Sequence, residues 1–135
     1  MFDVHESLDE FRRHREIMNE KILESENLQI KRFFSLDSRA YDAGALSTNV
    51  KELLGLTASL VLRCDDCVTY HLTRCAEESV SDDEFFEAFN VALVVGGSIT
   101  IPHLRRAVER LEEYRKIRGA KLQHSEGKKK ENDEE

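Results

Sequence analysis

The scarcity of turn-forming residues is the feature that most limits the folds open to this chain. Only one proline and six glycines occur among 135 residues, and charged residues make up 35% of the sequence. β-Sandwiches and β-barrels need many turn residues, so this composition disfavours both classes. A chain of this length is the size of one domain, and its hydrophobic fraction of 40% is enough to form a core. The sequence therefore predicts a single helical domain.

Apolar residues recur at helical intervals along most of the chain. The pattern predicts an all-α bundle of about six helices, although the irregular segment over residues 28–41 allows one short helix or two. Ser47 or Thr48 and Ser81 stand where N-terminal caps are expected, and Gly96 with Gly97 ends the fifth segment. The predicted helices begin near Glu6, Leu28, Ser47, Cys64, Ser81 and Pro102.

The composition changes abruptly near the C-terminal end. Residues 120–135 contain one leucine and no aromatic residue, and a run of three lysines precedes a run of acidic residues. Too little apolar surface is available there to offset the entropy of ordering. We therefore predict one helical domain over residues 1–118 and a charged, disordered tail over residues 119–135.

Charge and hydropathy restrict the partners of the chain. The formal net charge is -7, and no basic stripe with interleaved aromatic residues is present. No apolar stretch approaches the roughly 20 residues of a membrane span, and the N-terminal residues do not form a signal pattern. We expect a soluble, cytoplasmic protein without a nucleic-acid or membrane partner. The many apolar helix faces for so short a chain favour a homo-oligomer.

Four residues between positions 52 and 71 form a candidate redox site. Cys64, Cys67 and His71 share one helical face at about 100° per residue, and all three cysteines of the chain lie within residues 64–75. Residues four apart are neighbours on a helix surface, so the His71 imidazole can accept the Cys67 thiol proton and stabilise the thiolate. If Cys64 lies at the helix start, it is close enough to Cys67 for a disulfide.

Glu52 can join this site only if the chain folds back. On one unbroken helix Glu52 would lie about 18 Å from Cys64. We therefore expect a break near residues 62–65 and a helix hairpin that brings the Glu52 carboxylate toward His71, where it would fix the tautomer of the ring and exchange its proton. Asp65 and Asp66 could oppose ionisation of the thiols or could cap the first helical turn, and the sequence leaves both effects open.

A metal site is the main alternative for these residue types. Cys64, Cys67, His71 and Cys75 could ligate zinc, but they span about 16 Å of helix without a glycine or proline to form a tight turn. Three ligands, Glu52, Cys67 and His71, remain geometrically possible. We interpret Cys75 as a packing residue, and Arg74 as a surface partner of Glu77 or Glu78 rather than a residue that steers an anionic substrate.

The spacing of Glu52, Cys64, Cys67 and His71 resembles the carboxymuconolactone decarboxylase-like superfamily, in particular its alkylhydroperoxidase D-type branch. The resemblance covers roughly residues 46–111. It implies an all-helical core that assembles as trimers or hexamers, with Cys67 as the attacking thiolate, Cys64 as the resolving cysteine and His71 with Glu52 as a proton relay. The decarboxylases of the superfamily lack the cysteine pair. Asp66 stands where the best-known hydroperoxidases carry a histidine.

These observations predict a thiol-dependent oxidoreductase, a peroxidase or disulfide reductase, with the catalytic residues Cys67, Cys64, His71 and Glu52. Its substrate would be a small hydroperoxide or disulfide, and an external dithiol would restore the cysteine pair. No cofactor or metal is expected. The alternative is a non-enzymatic helical assembly module with structural or metal-bound cysteines.

Overall fold

The fold consists of helices. The structure, a computed structural model, describes residues 6–133, with side chains described as far as residue 119. Within this range the chain forms six α-helices: α1 (Leu8–Glu24), α2 (Leu28–Ala40), α3 (Thr48–Leu62), α4 (Asp65–Glu77), α5 (Asp82–Gly96) and α6 (Ile101–Asp133), the last preceded by a 3-10 turn, Ser98–Thr100. The predicted all-α class is confirmed, and the irregular segment near residue 28 forms the single helix α2.

The chain divides into two compact units, with the division between Lys51 and Glu52. In the first unit, α1 and α2 pack against each other. Ser7 begins α1 with a capping box: its Oγ accepts a hydrogen bond from the Glu10 N–H, and its own N–H donates to the Glu10 carboxylate, both at 3.1 Å. A single domain over residues 1–118 stays a prediction.

The second unit contains the candidate site and is built from α4, α5, α6 and the part of α3 that follows Lys51. Helix α4 packs against α6, and the apolar faces of the four helices share one core. Because α4 contributes Val68, Leu72 and Cys75 to this core, its opposite faces are left for polar groups. The buried core residues are Leu56, Leu60, Val68, Leu72, Cys75, Val80, Phe85, Phe89, Ala92, Ala107 and Leu111.

Helix α5 begins and ends with local signals that the sequence predicts. The Ser81 Oγ accepts a hydrogen bond from the Glu84 N–H at 3.2 Å, and the Ser81 N–H donates to the Glu84 Oε1 at 3.0 Å. The hydrogen bond from the Ser81 backbone N–H to the carboxylate is the main cause that holds the pKa of Glu84 below its usual value. At the other end, Gly97 has a φ of 79° and its N–H donates to the Leu93 carbonyl at 2.8 Å. A positive φ of this kind favours glycine, so Gly97 terminates the helix.

Helix α6 begins at Ile101, so Pro102 lies in its first turn as predicted. Its backbone continues to Asp133, through residues whose composition predicts disorder. The domain boundary at residue 118 and the tail over residues 119–135 stay predictions. Among the helices of residues 6–133, none combines the length and the apolar character that a membrane crossing requires.

Candidate active site

A sharp bend between α3 and α4 shapes the site. Arg63 has a φ of 60°, its N–H donates to the Leu60 carbonyl at 3.0 Å, and the Cys64 N–H donates to the Ser59 carbonyl at 3.1 Å. These two hydrogen bonds form a Schellman motif, which satisfies carbonyl groups at the end of α3. The predicted break near residues 62–65 is confirmed, and it allows α4 to return past α3.

Cys64 begins α4 as its N-terminal cap. Its Sγ accepts a hydrogen bond from the Cys67 N–H at 3.3 Å, and Cys64 and Cys67 form a disulfide with a Cα–Cα distance of 5.3 Å. This distance lies within the usual range for disulfides. Cys67 is exposed, whereas Cys64 is half-buried. An external reactant therefore reaches Cys67 more easily than Cys64.

Glu52 and His71 meet across the α3–α4 hairpin. The His71 Nδ1 lies 2.8 Å from the Glu52 Oε2, and the Glu52 side chain is only 2% exposed. An ionised carboxylate accepts hydrogen bonds but cannot donate them, so this contact assigns the proton to Nδ1 of the ring. A proton from the Cys67 thiol would then have to be accepted at the His71 Nε2. His71 lies one helical turn beyond Cys67, as the spacing predicts.

Arg74 provides the second contact of the buried carboxylate. Its Nε lies 3.5 Å from the Glu52 Oε1, while its terminal nitrogens contact Glu77 at 2.6 Å and Glu78 at 3.1 Å. The hydrogen bond to Glu77 is the main cause that raises the pKa of Arg74 above its usual value. The predicted pairing with Glu77 and Glu78 is confirmed. The contact between Arg74 and Glu52 is not predicted from the sequence, in which the only signal for it is that Arg74 follows His71 by one turn.

Asp65, between the two cysteines in sequence, is held by helix α6. Its Oδ1 lies 2.7 Å from the His103 Nδ1, and its Oδ2 lies 2.7 Å from an Arg106 terminal nitrogen. Although His103 lies in the first turn of α6, its side chain is only 17% exposed and is bonded to this carboxylate. Nothing local in the sequence indicates a contact between residues 38 positions apart.

Cys75 belongs to the core and not to the site. It is fully buried, and burial is the main cause that raises the pKa of its thiol to about 12. Its interpretation as a packing residue is confirmed, and this position removes it from any shared zinc site with Cys64 and Cys67. Over the described residues, no group of three or more histidine, cysteine, aspartate or glutamate side chains could hold a metal ion.

Comparison with known proteins supplies the family. The model of the carboxymuconolactone decarboxylase family matches residues 30–110, a range that includes all four candidate residues. The chain belongs to the carboxymuconolactone decarboxylase family. The alkylhydroperoxidase D-type branch indicated by the cysteine spacing is consistent with this match. No protein with a curated function matches the chain.

Solved structures of family members agree with the fold. One crystal structure is that of the protein TM1620 from Thermotoga maritima, whose sequence is 57% identical to this chain. The match covers 82% of this chain and 96% of the TM1620 chain, with a TM-score of 0.80. A second structure of that protein is 56% identical, covers 82% and 93% of the two chains, and has a TM-score of 0.78. TM1620 is described there as a carboxymuconolactone decarboxylase family protein with a suggested involvement in the antioxidative response.

A more distant family protein, lpg0406 from Legionella pneumophila, was crystallised in its apo form. It is 21% identical, covers 79% of this chain and 96% of its own, and has a TM-score of 0.73. At this identity the likeness concerns the fold alone. For the present family member, the site therefore rests on its own geometry: a bonded cysteine pair at a helix start, a histidine one turn later, and a buried carboxylate on that histidine.

Proposed function

We propose that the chain is a thiol-dependent oxidoreductase that reduces a small hydroperoxide or disulfide. The observation that carries the proposal is the 2.8 Å contact between the buried Glu52 carboxylate and His71, one turn after the Cys64–Cys67 pair. A buried carboxylate needs a partner, and a histidine fixed by it is positioned to exchange a proton with a neighbouring thiol. The suggested antioxidative involvement of TM1620 supports the same class of chemistry.

The proposed cycle starts from the reduced cysteine pair. His71 accepts the Cys67 proton, and the thiolate attacks the outer oxygen of a hydroperoxide, so that the O–O bond breaks and Cys67 becomes a sulfenic acid. The alkoxide that leaves takes up the proton from the His71 and Glu52 relay and departs as an alcohol. The Cys64 thiol then attacks the Cys67 sulfur, which forms the disulfide and releases water.

An external dithiol completes the cycle. It reduces the Cys64–Cys67 disulfide by two thiol–disulfide exchange steps and is itself oxidised to a disulfide. With a small disulfide as the substrate, the reduced pair transfers its two electrons by the same exchange chemistry. Cys67 reacts first in either direction, as the thiolate that attacks the substrate or as the disulfide sulfur that the external dithiol attacks, because it is more exposed than Cys64.

A homo-oligomer, trimeric or hexameric, is part of the proposal. Several large apolar side chains of the second unit are exposed in the single chain, and such surface favours association. They include Leu62, Val94, Val95 and Ile99. Light scattering coupled to size exclusion would give the number of chains. A cytoplasmic location, where dithiol reductants are abundant, also belongs to the proposal.

A single-turnover experiment tests the proposed chemistry. The full chain is reduced, freed of reductant and mixed with one equivalent of an alkyl hydroperoxide, and thiols and disulfides are followed by peptide mapping. We expect rapid loss of two thiols and formation of one Cys64–Cys67 disulfide. Cys67→Ser should abolish the reaction, and Cys64→Ser should stop it at a sulfenic acid that dimedone traps. Cys75→Ala, the matched control, should change neither rate nor product.

Other outcomes would point to the alternatives. Oxidation no faster than that of free glutathione would reject the enzyme and favour the assembly module. Release of zinc by a chelator would favour metal-bound cysteines, if the thiols resist a thiol-titrating reagent before the zinc is removed and react with it afterwards. Decarboxylation of a small lactone that survives Cys67→Ser would assign the chain to the decarboxylase chemistry of its family name.

A further inference from the structure

The carboxylate of Asp65 places a negative charge in the same helical turn as the proposed nucleophile, Cys67. Asp65 is the first residue of α4, directly after Cys64 and two residues before Cys67. A carboxylate in the same helical turn as a thiol disfavours the thiolate, because like charges repel. On the Asp65 charge alone, Cys67 would be a poorer nucleophile than a cysteine in a neutral setting. The position therefore needs a compensating charge if Cys67 is to react at neutral pH.

Helix α6 supplies that compensation. The Arg106 guanidinium lies 2.7 Å from the Asp65 Oδ2, and the His103 Nδ1–H donates to the Asp65 Oδ1 at 2.7 Å. The two carboxylate oxygens thus have separate donors, three residues apart on α6. The Arg106 side chain is 48% exposed and that of Asp65 is 41% exposed, so water screens this pair and its effect on Cys67 is modest in size. Because α4 also packs against α6, both donors are fixed relative to the first turn of α4.

The structure assigns to His103 and Arg106 the role of positioning residues: both hold the Asp65 carboxylate, Arg106 also offsets its charge, and the two together set the reactivity of the Cys67 thiol at neutral pH. This inference rests on the proposed function, since it gives Cys67 the role of nucleophile. Neither α6 residue needs to touch the substrate. Both act through Asp65, and that dependence is what distinguishes them from surface cations that raise the local potential directly.

Other charged groups face the same region and remain in place in every variant used below. Glu52 from α3, with His71 and Arg74 from α4, form the relay described above. Asp66 is exposed in the first turn of α4. Because the comparison is between variants that keep these groups, their contributions cancel.

The test measures the alkylation rate of Cys67 as a function of pH. The background variant is Cys64→Ser, which leaves Cys67 as the accessible thiol because Cys75 is buried. Serine is a good N-terminal cap and can accept the Cys67 N–H in place of the sulfur. Iodoacetamide is the probe, since it reports thiolate formation without any peroxide. Failure of this inference is thereby separated from failure of the proposed peroxidase activity.

In this background, Arg106→Gln should raise the pH of half-maximal alkylation by about 0.5 to 1 unit, which slows the reaction at pH 7 about three- to tenfold. Arg106→Lys should restore most of the rate because it keeps the charge. His103→Ala should shift the profile in the same direction. The shift should shrink in 0.5 M salt, as expected for partly exposed charges.

The decisive comparison is a double-mutant cycle with Asp65→Asn. If Arg106 acts mainly through Asp65, Arg106→Gln should have a clearly smaller effect once the carboxylate is gone, because only the direct effect of the Arg106 charge on the thiolate then remains. Arg105→Gln, which removes an exposed neighbouring cation, is the matched control and should leave the profile unchanged. The inference is overturned if Arg106→Gln shifts the profile equally with and without Asp65. It is also overturned if Arg105→Gln shifts it as much as Arg106→Gln, or if Arg106→Gln shifts nothing.

Discussion

Replacing Glu52 by glutamine tests whether the buried carboxylate is what holds His71 in place. Two donors reach its two oxygens, the His71 Nδ1 at 2.8 Å and the Arg74 Nε at 3.5 Å. A glutamine side chain offers one oxygen and one NH₂ group, so one of these donors must face another donor. A buried donor left without an acceptor costs about 1–3 kcal/mol. We expect Glu52→Gln to lower the free energy of unfolding by about 2 kcal/mol, measured by urea denaturation.

The same substitution should slow the thiol chemistry. The amide oxygen of glutamine can still accept from the His71 Nδ1–H, but it carries no charge to stabilise the protonated ring after Nε2 has taken up the thiol proton. A positioned acid or base contributes about 10² to 10⁴ in rate, and glutamine retains part of the positioning. We therefore expect oxidation of Cys67 by an alkyl hydroperoxide to slow by about two orders of magnitude at neutral pH. Stopped-flow measurement of the reduced protein gives this rate.

Glu77→Gln is the matched control for Glu52→Gln. Glu77 also accepts from Arg74, at 2.6 Å, but its side chain is 40% exposed. Exposed ion pairs contribute about 0–1 kcal/mol, so this variant should change stability and rate little. Equal effects of the two variants would refute the reasoning. A loss of stability without a loss of rate would show that Glu52 has a purely structural role and would remove it from the relay.

Two further variants test the core. Burial raises the pKa of Cys75 from 9.0 to about 12, so the folded chain keeps a proton that the unfolded chain loses above pH 9. This contribution to stability is complete below pH 9 and falls by up to about 1.4 kcal/mol per pH unit as the pH rises toward 12, a slope that Cys75→Ala should lack in urea denaturation at pH 8 to 10. A Cβ on Gly96 would collide with the Thr100 Oγ1, so Gly96→Ala should destabilise by about 1–3 kcal/mol. Thermal unfolding of Gly96→Ala with Thr100→Ala should recover most of that loss, and strict additivity would contradict the explanation.

The helices could be predicted because their signals are local. The predicted cap Ser81, the glycines at the end of α5 and the apolar periodicity all act within a few residues of one another. The bend after α3 was predicted only indirectly, from the need to bring Glu52 back to His71. Its central residue carries no signal, because Arg63 adopts a positive φ that arginine does not favour. Hydrogen bonds at the end of α3 and the packing of α4 hold it there.

In the candidate site, too, the features that depend on local spacing could be predicted, and those that depend on packing between helices could not. The sequence placed Cys64, Cys67 and His71 on one helical face because the spacing alone determines that arrangement. It identified Glu77 and Glu78 as partners of Arg74, since these lie three and four residues away. The bond from Asp65 to His103 depends on how α4 and α6 pack, and no periodicity within one segment encodes that packing.

The hydrogen bonds of Cys64 allow the disulfide to be formed and reduced without a change in the backbone hydrogen bonds around it. Its N–H closes the end of α3 through the Ser59 carbonyl, and its sulfur caps α4 through the Cys67 N–H. A thiol or thiolate sulfur can accept that second bond as well as a disulfide sulfur can, so neither helix loses its terminal hydrogen bond on reduction. In the proposed cycle, the thiolate of Cys67 would arise at the N-terminus of a helix, where unpaired N–H groups and the helix dipole stabilise an anion. The bend thus supplies the fixed separation of the two sulfurs, and it places Cys67 where the field of α4 would favour the proposed nucleophile.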